Sequence, residues 1–228
     1  IHYIDMTMRV NLAQSFFNKD NSASYDKLVK LATLGQDSNW KRKIAERVPS
    51  GSLVLEMACG TGILTSLLRQ NNNLVYGIDL TFEYLSQLRK KRVQVDSING
   101  TAEFLPFQSM YFDCIVASYL PKYVNLNALV RECHRVLKPE GLLILHDFTY
   151  PKRLAYQLVW IIYFRIIKTL WRLDRKWTNV FNELDNLIIS NHWDSELSSI
   201  LTSHGFVQIR KEFQTLETSA IISAFKDE

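Results

Sequence analysis

The sequence predicts an α/β domain: a doubly wound, mostly parallel sheet of seven strands that ends in an antiparallel C-terminal hairpin. Two observations predict it. Short apolar runs of strand length alternate with stretches of helical period from residue 53 to residue 148, and repeated βα units close as a parallel sheet with right-handed crossovers and helices on both faces. Beyond that, the alternation stops, and a helix is followed by two strands joined by a short turn, the pattern of a hairpin on a sheet edge.

Taken in order, the chain opens with helical patterns over Met8 to Phe17, Tyr25 to Leu34 behind Ser24 as a cap, and Asn39 to Arg47 behind Ser38. Pro49 and Gly51 close this part. Strand Leu53 to Met57, helix Ile63 to Gln70, strand Leu74 to Asp79, helix Phe82 to Lys91 and strand Gln94 to Ile98 follow. Strand Phe112 to Ser118, helix Leu126 to Leu137 and strand Leu142 to Phe148 complete the parallel series. Near the end, Trp193 to His204 reads as a helix, and Gly205 to Phe213 with Glu217 to Phe225 as the hairpin.

One segment stands apart. Leu154 to Trp171 is apolar and aromatic but carries Arg165 and Lys168, which makes it marginal for crossing a bilayer of ~30 Å. It reads either as a helix packed over the sheet edge, or as a substrate lid or membrane-facing helix.

Composition narrows the function classes. A chain of 228 residues, 47% hydrophobic and 22% charged, supports one large core and is not a disordered or fibrous protein. The net charge of +4 is modest and its cations are scattered, among them Lys41, Arg42 and Lys43, without a long basic tail; nucleic acid is therefore not the expected partner. Cys59, Cys114 and Cys133 are an odd number at spacings that fit neither a disulfide framework nor a zinc site, and no metal is expected. Asp5 and Arg9 stand where an export signal would carry an apolar run. A cytoplasmic location is the expectation, and the sequon at Asn99 is a chance match within a ligand loop.

In an open α/β sheet, ligands bind beyond the carboxyl ends of the strands. Three loops carry suitable chemistry there. In Glu56-Met57-Ala58-Cys59-Gly60-Thr61-Gly62, two glycines after a buried strand admit a ligand close to the backbone, and the helix starting near Ile63 offers free amides to a carboxylate. Asp79 ends the next strand, placed to accept hydrogen bonds from both hydroxyls of a ribose. The third loop is Asn99-Gly100-Thr101-Ala102-Glu103-Phe104-Leu105-Pro106-Phe107, followed by strand Phe112 to Ser118.

A dinucleotide fingerprint would read G-x-G-x-x-G, whereas this loop reads G-T-G-I-L-T and lacks the third glycine. The acidic-x-x-x-G-x-G form headed by Glu56 resembles instead the signature of class I S-adenosylmethionine-dependent methyltransferases, whose fold is Rossmann-like. The third loop looks like the family segment that holds adenine, with Thr101 where Asp usually stands, and Arg135 to Gly141 extends the likeness. The resemblance implies S-adenosylmethionine as cofactor, held by Glu56, Ala58, Gly60, Gly62, Asp79, Leu80, Thr101, Ala102 and Ser118. Thr101 would grip the adenine amino group as a neutral hydroxyl, more weakly than a carboxylate.

The run Tyr25-Asp26 to Leu34-Gly35, continued by Trp40-Lys41-Arg42, together with Ala102-Glu103-x-Leu105-Pro106-Phe107, resembles the ubiquinone/menaquinone C-methyltransferase family over residues 25 to about 148. That family methylates a ring carbon of a polyprenylated hydroquinone, so quinone biosynthesis and a small lipophilic substrate are implied. Where the family continues G-T-G-D and Phe-Gly-Leu-Arg-Asn, this chain has Ile63 and Tyr119-Leu120-Pro121-Lys122-Tyr123. Lys122 keeps a positive charge without the planar fork of arginine.

Lys122 to stabilise a phenolate, His146 as a base near neutral pH, and Tyr123 are the candidate catalytic residues. Tyr25, Tyr119, Trp160 and Phe164 are candidates for substrate binding. The expected organisation is a single methyltransferase domain over 1–228: N-terminal helices over 1–48, a cofactor-binding core over 49–150, a lid or substrate-facing helical insertion over 151–192, and a C-terminal helix and hairpin over 193–228. Peripheral membrane contact is entertained, and the oligomeric state is left open. Methylation of oxygen or nitrogen in another small molecule, and a non-catalytic cofactor-binding regulator, are the alternatives.

Overall fold

The structure is a computed structural model, which describes residues 11–171, 174 and 176–228. Its strands are β1 (Leu53–Met57), β2 (Leu74–Asp79), β3 (Asp96–Asn99), β4 (Phe112–Ser118), β5 (Leu137–Phe148), β6 (Phe206–Gln214) and β7 (Ser219–Lys226). They form one seven-stranded sheet in the order β3-β2-β1-β4-β5-β7-β6. The first five are parallel, β7 inserts antiparallel beside β5, and β6 is the outer strand of the hairpin. This is the expected fold class.

The chain reverses its winding between β1 and β4, neighbours in space whose following segments diverge. Such a switch point opens a crevice at the carboxyl ends of the two strands. Val54, Leu55, Met57, Ile115, Val116 and Ala117 are wholly buried on both sides of the sheet, because helices cover both faces and each strand reads as a continuous apolar run.

The helices are α1 (residues 11–16), α2 (Lys19–Ser22), α3 (Tyr25–Ala32), α4 (Gln36–Arg47), α5 (Ile63–Gln70), α6 (Phe82–Lys90), α7 (Leu126–Val136), α8 (Leu154–Trp171), α9 (Thr178–Ser190) and α10 (Trp193–Ser203). Leu129, Val130, Leu197 and Leu201 of α7 and α10 pack one face of the sheet, and Ile44, Leu64 and Leu68 of α4 and α5 pack the other. A third cluster joins Phe16 and Leu28 to Trp160, Phe164, Trp177 and Phe181. It stands apart from the two sheet faces and builds a helical cap with α8 and α9.

Several boundaries differ from expectation for local reasons. The helix expected from Met8 begins outside the described residues. α2 is a single turn, too short to show a period; Asn18 caps it through Asp20 N–H and forms a reciprocal pair with Asn21. α4 starts at Gln36 and not Asn39, because Gly35 at φ +79° turns the chain three residues earlier. β5 takes in Leu137, expected to end the helix before it, and Lys138 to Gly141, expected as a connection, and β3 starts at Asp96 and not Gln94.

Candidate active site

The loop after β1 is shaped by its glycines. A Cβ on Gly62, at φ +81°, would stand 2.2 Å from Leu88 Cδ1, so α6 packs against a position that only glycine can fill. At the place where a dinucleotide fingerprint has its third glycine, Thr65 donates its hydroxyl to Glu56 Oε2 at 2.5 Å. The helix is thus tied to β1 by a hydrogen bond and not by close backbone approach. Burial pushes the Glu56 carboxyl up to about 8.

Asp79 links two loops. Its Oδ2 accepts from the Gly60 N–H at 2.7 Å and its Oδ1 from the Thr81 N–H at 2.8 Å, which fixes its rotamer. Burial raises its carboxyl to about 6, against the pull of these two amides. The third loop brings Thr101, whose hydroxyl lies 3.3 Å from Glu103 Oε2. Glu103 is itself anchored by the Asn125 N–H at 2.8 Å.

These loops line one crevice at the carboxyl ends of the strands. Ala58, Gly60, Asp79, Leu80, Thr101, Ala102 and Ser118 form its floor, and Tyr25, Tyr119 and Tyr123 border it. Ten of the residues singled out from sequence therefore meet in one place. Ala13, Phe17 and Tyr84 also line it and were not foreseen. Ala13 is on α1 and Phe17 in the bend between α1 and α2, the N-terminal segment that roofs the crevice. Tyr84 ties that roof down by donating to Asn21 Oδ1 at 2.9 Å, and Asp26 accepts from the Thr61 hydroxyl and the Lys91 ammonium.

A recess continues from the crevice beneath the glycine loop, between Tyr25, Lys41, Glu56, Cys59, Gly60 and Tyr119. Lys41 is buried and pairs with Asp37 Oδ1 at 2.5 Å, an oxygen that also accepts from the Tyr119 hydroxyl at 2.8 Å. Among the described residues Lys41 is the sole cation lining crevice or recess. Lysine faces a carboxylate well and Glu56 an ammonium, so the recess suits the zwitterionic end of an amino acid. From sequence, Lys41 is one of several cations scattered through helices and a member of the Trp40-Lys41-Arg42 run, with no role in the site. Its signal was the Asp37–Lys41 spacing on the same helical face as buried Ile44 and Ala45.

On its other side the crevice adjoins an apolar cavity, which in turn adjoins a second. The nearer shares Phe17, Tyr25, Tyr119 and Tyr123 with it and adds Lys122, Phe148, Trp177 and Phe181. The farther shares Ala32, Thr33, Phe148, Phe181 and Leu184 with the nearer one and extends under α8 to Val159, Trp160, Tyr163 and Phe164. Trp160 and Phe164 thus lie at the far end of a series of cavities and do not border the crevice itself.

Two catalytic expectations change. Lys122 is not a free cation: its ammonium pairs with Asp147, both side chains being buried, and its own N–H donates to Asp147 Oδ2 at 3.1 Å. Burial lowers the Lys122 ammonium and raises the Asp147 carboxyl, while each pulls the other back toward charge. His146 does not keep an ordinary imidazole pKa. It is fully buried, bonded through Nδ1 to the Ser118 hydroxyl at 2.9 Å, and set between the rings of Trp40 and Tyr119. Burial, with Lys41 and Lys122 nearby, holds it well below its usual range. It lies behind Ser118, off the wall of the crevice.

Residues 55–145 match the family described as a methyltransferase domain. The chain is 29% identical over 215 residues to a demethylmenaquinone methyltransferase of Chlorobaculum tepidum, covering 89% of this chain and 88% of that one. It is 28% identical over 218 residues to a ubiquinone/menaquinone biosynthesis C-methyltransferase of Blochmanniella pennsylvanica, covering 90% of this chain and 86% of that one. Among solved structures, magnesium protoporphyrin IX methyltransferase of Synechocystis, with S-adenosylhomocysteine bound, superposes with a TM-score of 0.67 at 16% identity over 95% of this chain and 99% of that one. The matched domain and these relatives support an S-adenosylmethionine-dependent methyltransferase, and the solved structure shares the fold. Within that class the chain resembles the ubiquinone/menaquinone C-methyltransferases.

Proposed function

We propose that this enzyme methylates a ring carbon of a lipophilic hydroquinone bearing a long apolar tail. The observation that carries the proposal is the series of apolar cavities running from Tyr119 and Tyr123 at the crevice to Trp160 and Phe164 under α8. A small polar acceptor has no use for such apolar space, whereas a tail buried in it gains about 25 cal/mol per Å² of apolar surface.

Asp79 would hold the ribose, Thr101 and Ala102 the adenine, and Lys41 with Glu56 the amino-acid end. The bound cofactor supplies a methyl group activated by its sulfonium. The protein's part is to aim the acceptor carbon along the carbon–sulfur axis and to exclude water. Ring methylation would exchange the acceptor's ring C–H proton, released to solvent, for the methyl group that the bound cofactor would supply. Tyr119, whose hydroxyl is bonded to Asp37 and which borders both crevice and nearer cavity, is placed at the junction where the acceptor head would sit. We assign Tyr119 and Tyr25 to orienting that head.

The test uses isotope-labelled cofactor and unmethylated naphtho- and benzohydroquinones, each with and without a polyprenyl tail. The expected product carries the label on a ring carbon, with a KM lower for the tailed acceptor. Label on oxygen, or no turnover of any tailed hydroquinone, would overturn the reading.

A further inference from the structure

The helix α8 is apolar on every side. Its inner face, Trp160, Phe164 and Ile167, packs into the helical cap. Its outer face, with Leu158, Ile161, Ile162, Ile166 and Leu170, is exposed. A helix apolar all round belongs in a core or against something apolar, and an exposed patch of this kind marks an interaction surface.

Charge indicates what covers it. From Phe148 to the end of α8 the chain carries Lys152, Arg153, Arg165 and Lys168 and not one acid. Lys168 is engaged by Asp185 at 2.6 Å and Arg153 lies 3.3 Å from Glu217. Arg165 projects from the exposed face without a partner among the described residues, whereas Lys152, in the turn before the helix, lies over the Phe213 ring. A second copy of the same face would bring Arg165 no carboxylate. An anionic bilayer satisfies both features: acyl chains take the isoleucines, and the long basic side chain reaches back to phosphate. No helix among the described residues is long and apolar enough to cross a membrane, so α8 would lie along the surface, over the ~27 Å that its length provides.

The location supports the same occupant. The farther cavity opens beside α8, and Leu34, Val159 and Leu216 on its lining are exposed. We propose that α8 docks on an anionic lipid surface and sets this opening against the bilayer, from which a lipophilic acceptor enters without crossing water. The entry route rests on the acceptor reading above; the docking does not.

The test is flotation of the whole protein with vesicles of phosphatidylglycerol and phosphatidylcholine, and with vesicles of phosphatidylcholine alone, none containing quinone. Wild type is expected to float with the anionic vesicles. The double variant Ile162→Asp/Ile166→Asp should lose binding roughly tenfold or more, and Arg165→Glu should lose it chiefly toward the anionic vesicles. Calorimetry with S-adenosylhomocysteine should show unchanged affinity in both variants, since none of these residues lines the crevice. Wild type that fails to float, or a folded double variant that floats as well as wild type, overturns the docking. So does a dimer in sedimentation equilibrium that the double variant dissociates, because the face would then be covered by a second copy. Because no acceptor is present, a failure of the quinone reading leaves this result untouched.

Discussion

Asp79 is held by two backbone amides before any ligand arrives, so its carboxylate needs no reorganisation to meet two ribose hydroxyls. Asp79→Asn keeps the side chain's shape and removes its charge. Cofactor affinity should fall roughly 10- to 100-fold, as for loss of charge-assisted hydrogen bonds, with little change in thermal stability; equal affinity in calorimetry would count against the ribose assignment. The pH dependence has a definite sign. Burial keeps Asp79 protonated below about 6 and Glu56 below about 8, while hydroxyl donors and an ammonium both favour the ionised acids. Cofactor affinity should therefore rise as pH climbs from 5 toward 8, Asp79→Asn flattening the lower limb and Glu56→Gln the upper. Lys122 tests differently from a simple charge at a reaction centre. Lys122→Met strands the Asp147 carboxylate in the interior and should cost about 3–5 kcal/mol of stability. Adding Asp147→Leu should restore most of it in urea unfolding, and an additive double variant would refute the pairing.

Among the elements, the wall shared by the two apolar cavities is the feature most open to manipulation. Ala32 on α3 lines both apolar cavities, so Ala32→Phe should narrow their junction without touching the crevice. KM for a long-tailed acceptor should rise several-fold, while a tailless acceptor and the cofactor bind as before. Equal effects on both acceptors would place the tail elsewhere. Trp160 and Phe164, by contrast, pack together at a centroid distance of 4.2 Å within the helical cap. Truncating either to Ala should cost about 3–5 kcal/mol as core, and that loss must be measured before any kinetic effect is ascribed to the acceptor.

At the scale of the whole molecule, the N-terminal helices lie over the crevice and are tied to it through Asn21, Asp26 and Tyr25. A ligand beneath them should slow hydrogen exchange across residues 11 to 34 more than in α7 or α10, which pack a sheet face away from the site. Equal protection everywhere would mean that the roof does not respond to the cofactor. The sequence alone determined the sheet, its strands and the loops at their ends, since alternating periods and paired glycines are written within a few residues of one another. Glu56, Gly60, Asp79 and Thr101 were legible for the same reason: each follows directly from the strand that carries it. Only the tertiary structure decided the surroundings of Lys122 and His146, because burial and the partners Asp147, Ser118 and Trp40 come from distant segments. It alone made Lys41 part of the site and separated Trp160 from the crevice, since which face of a helix meets which cavity depends on packing between elements far apart in the chain.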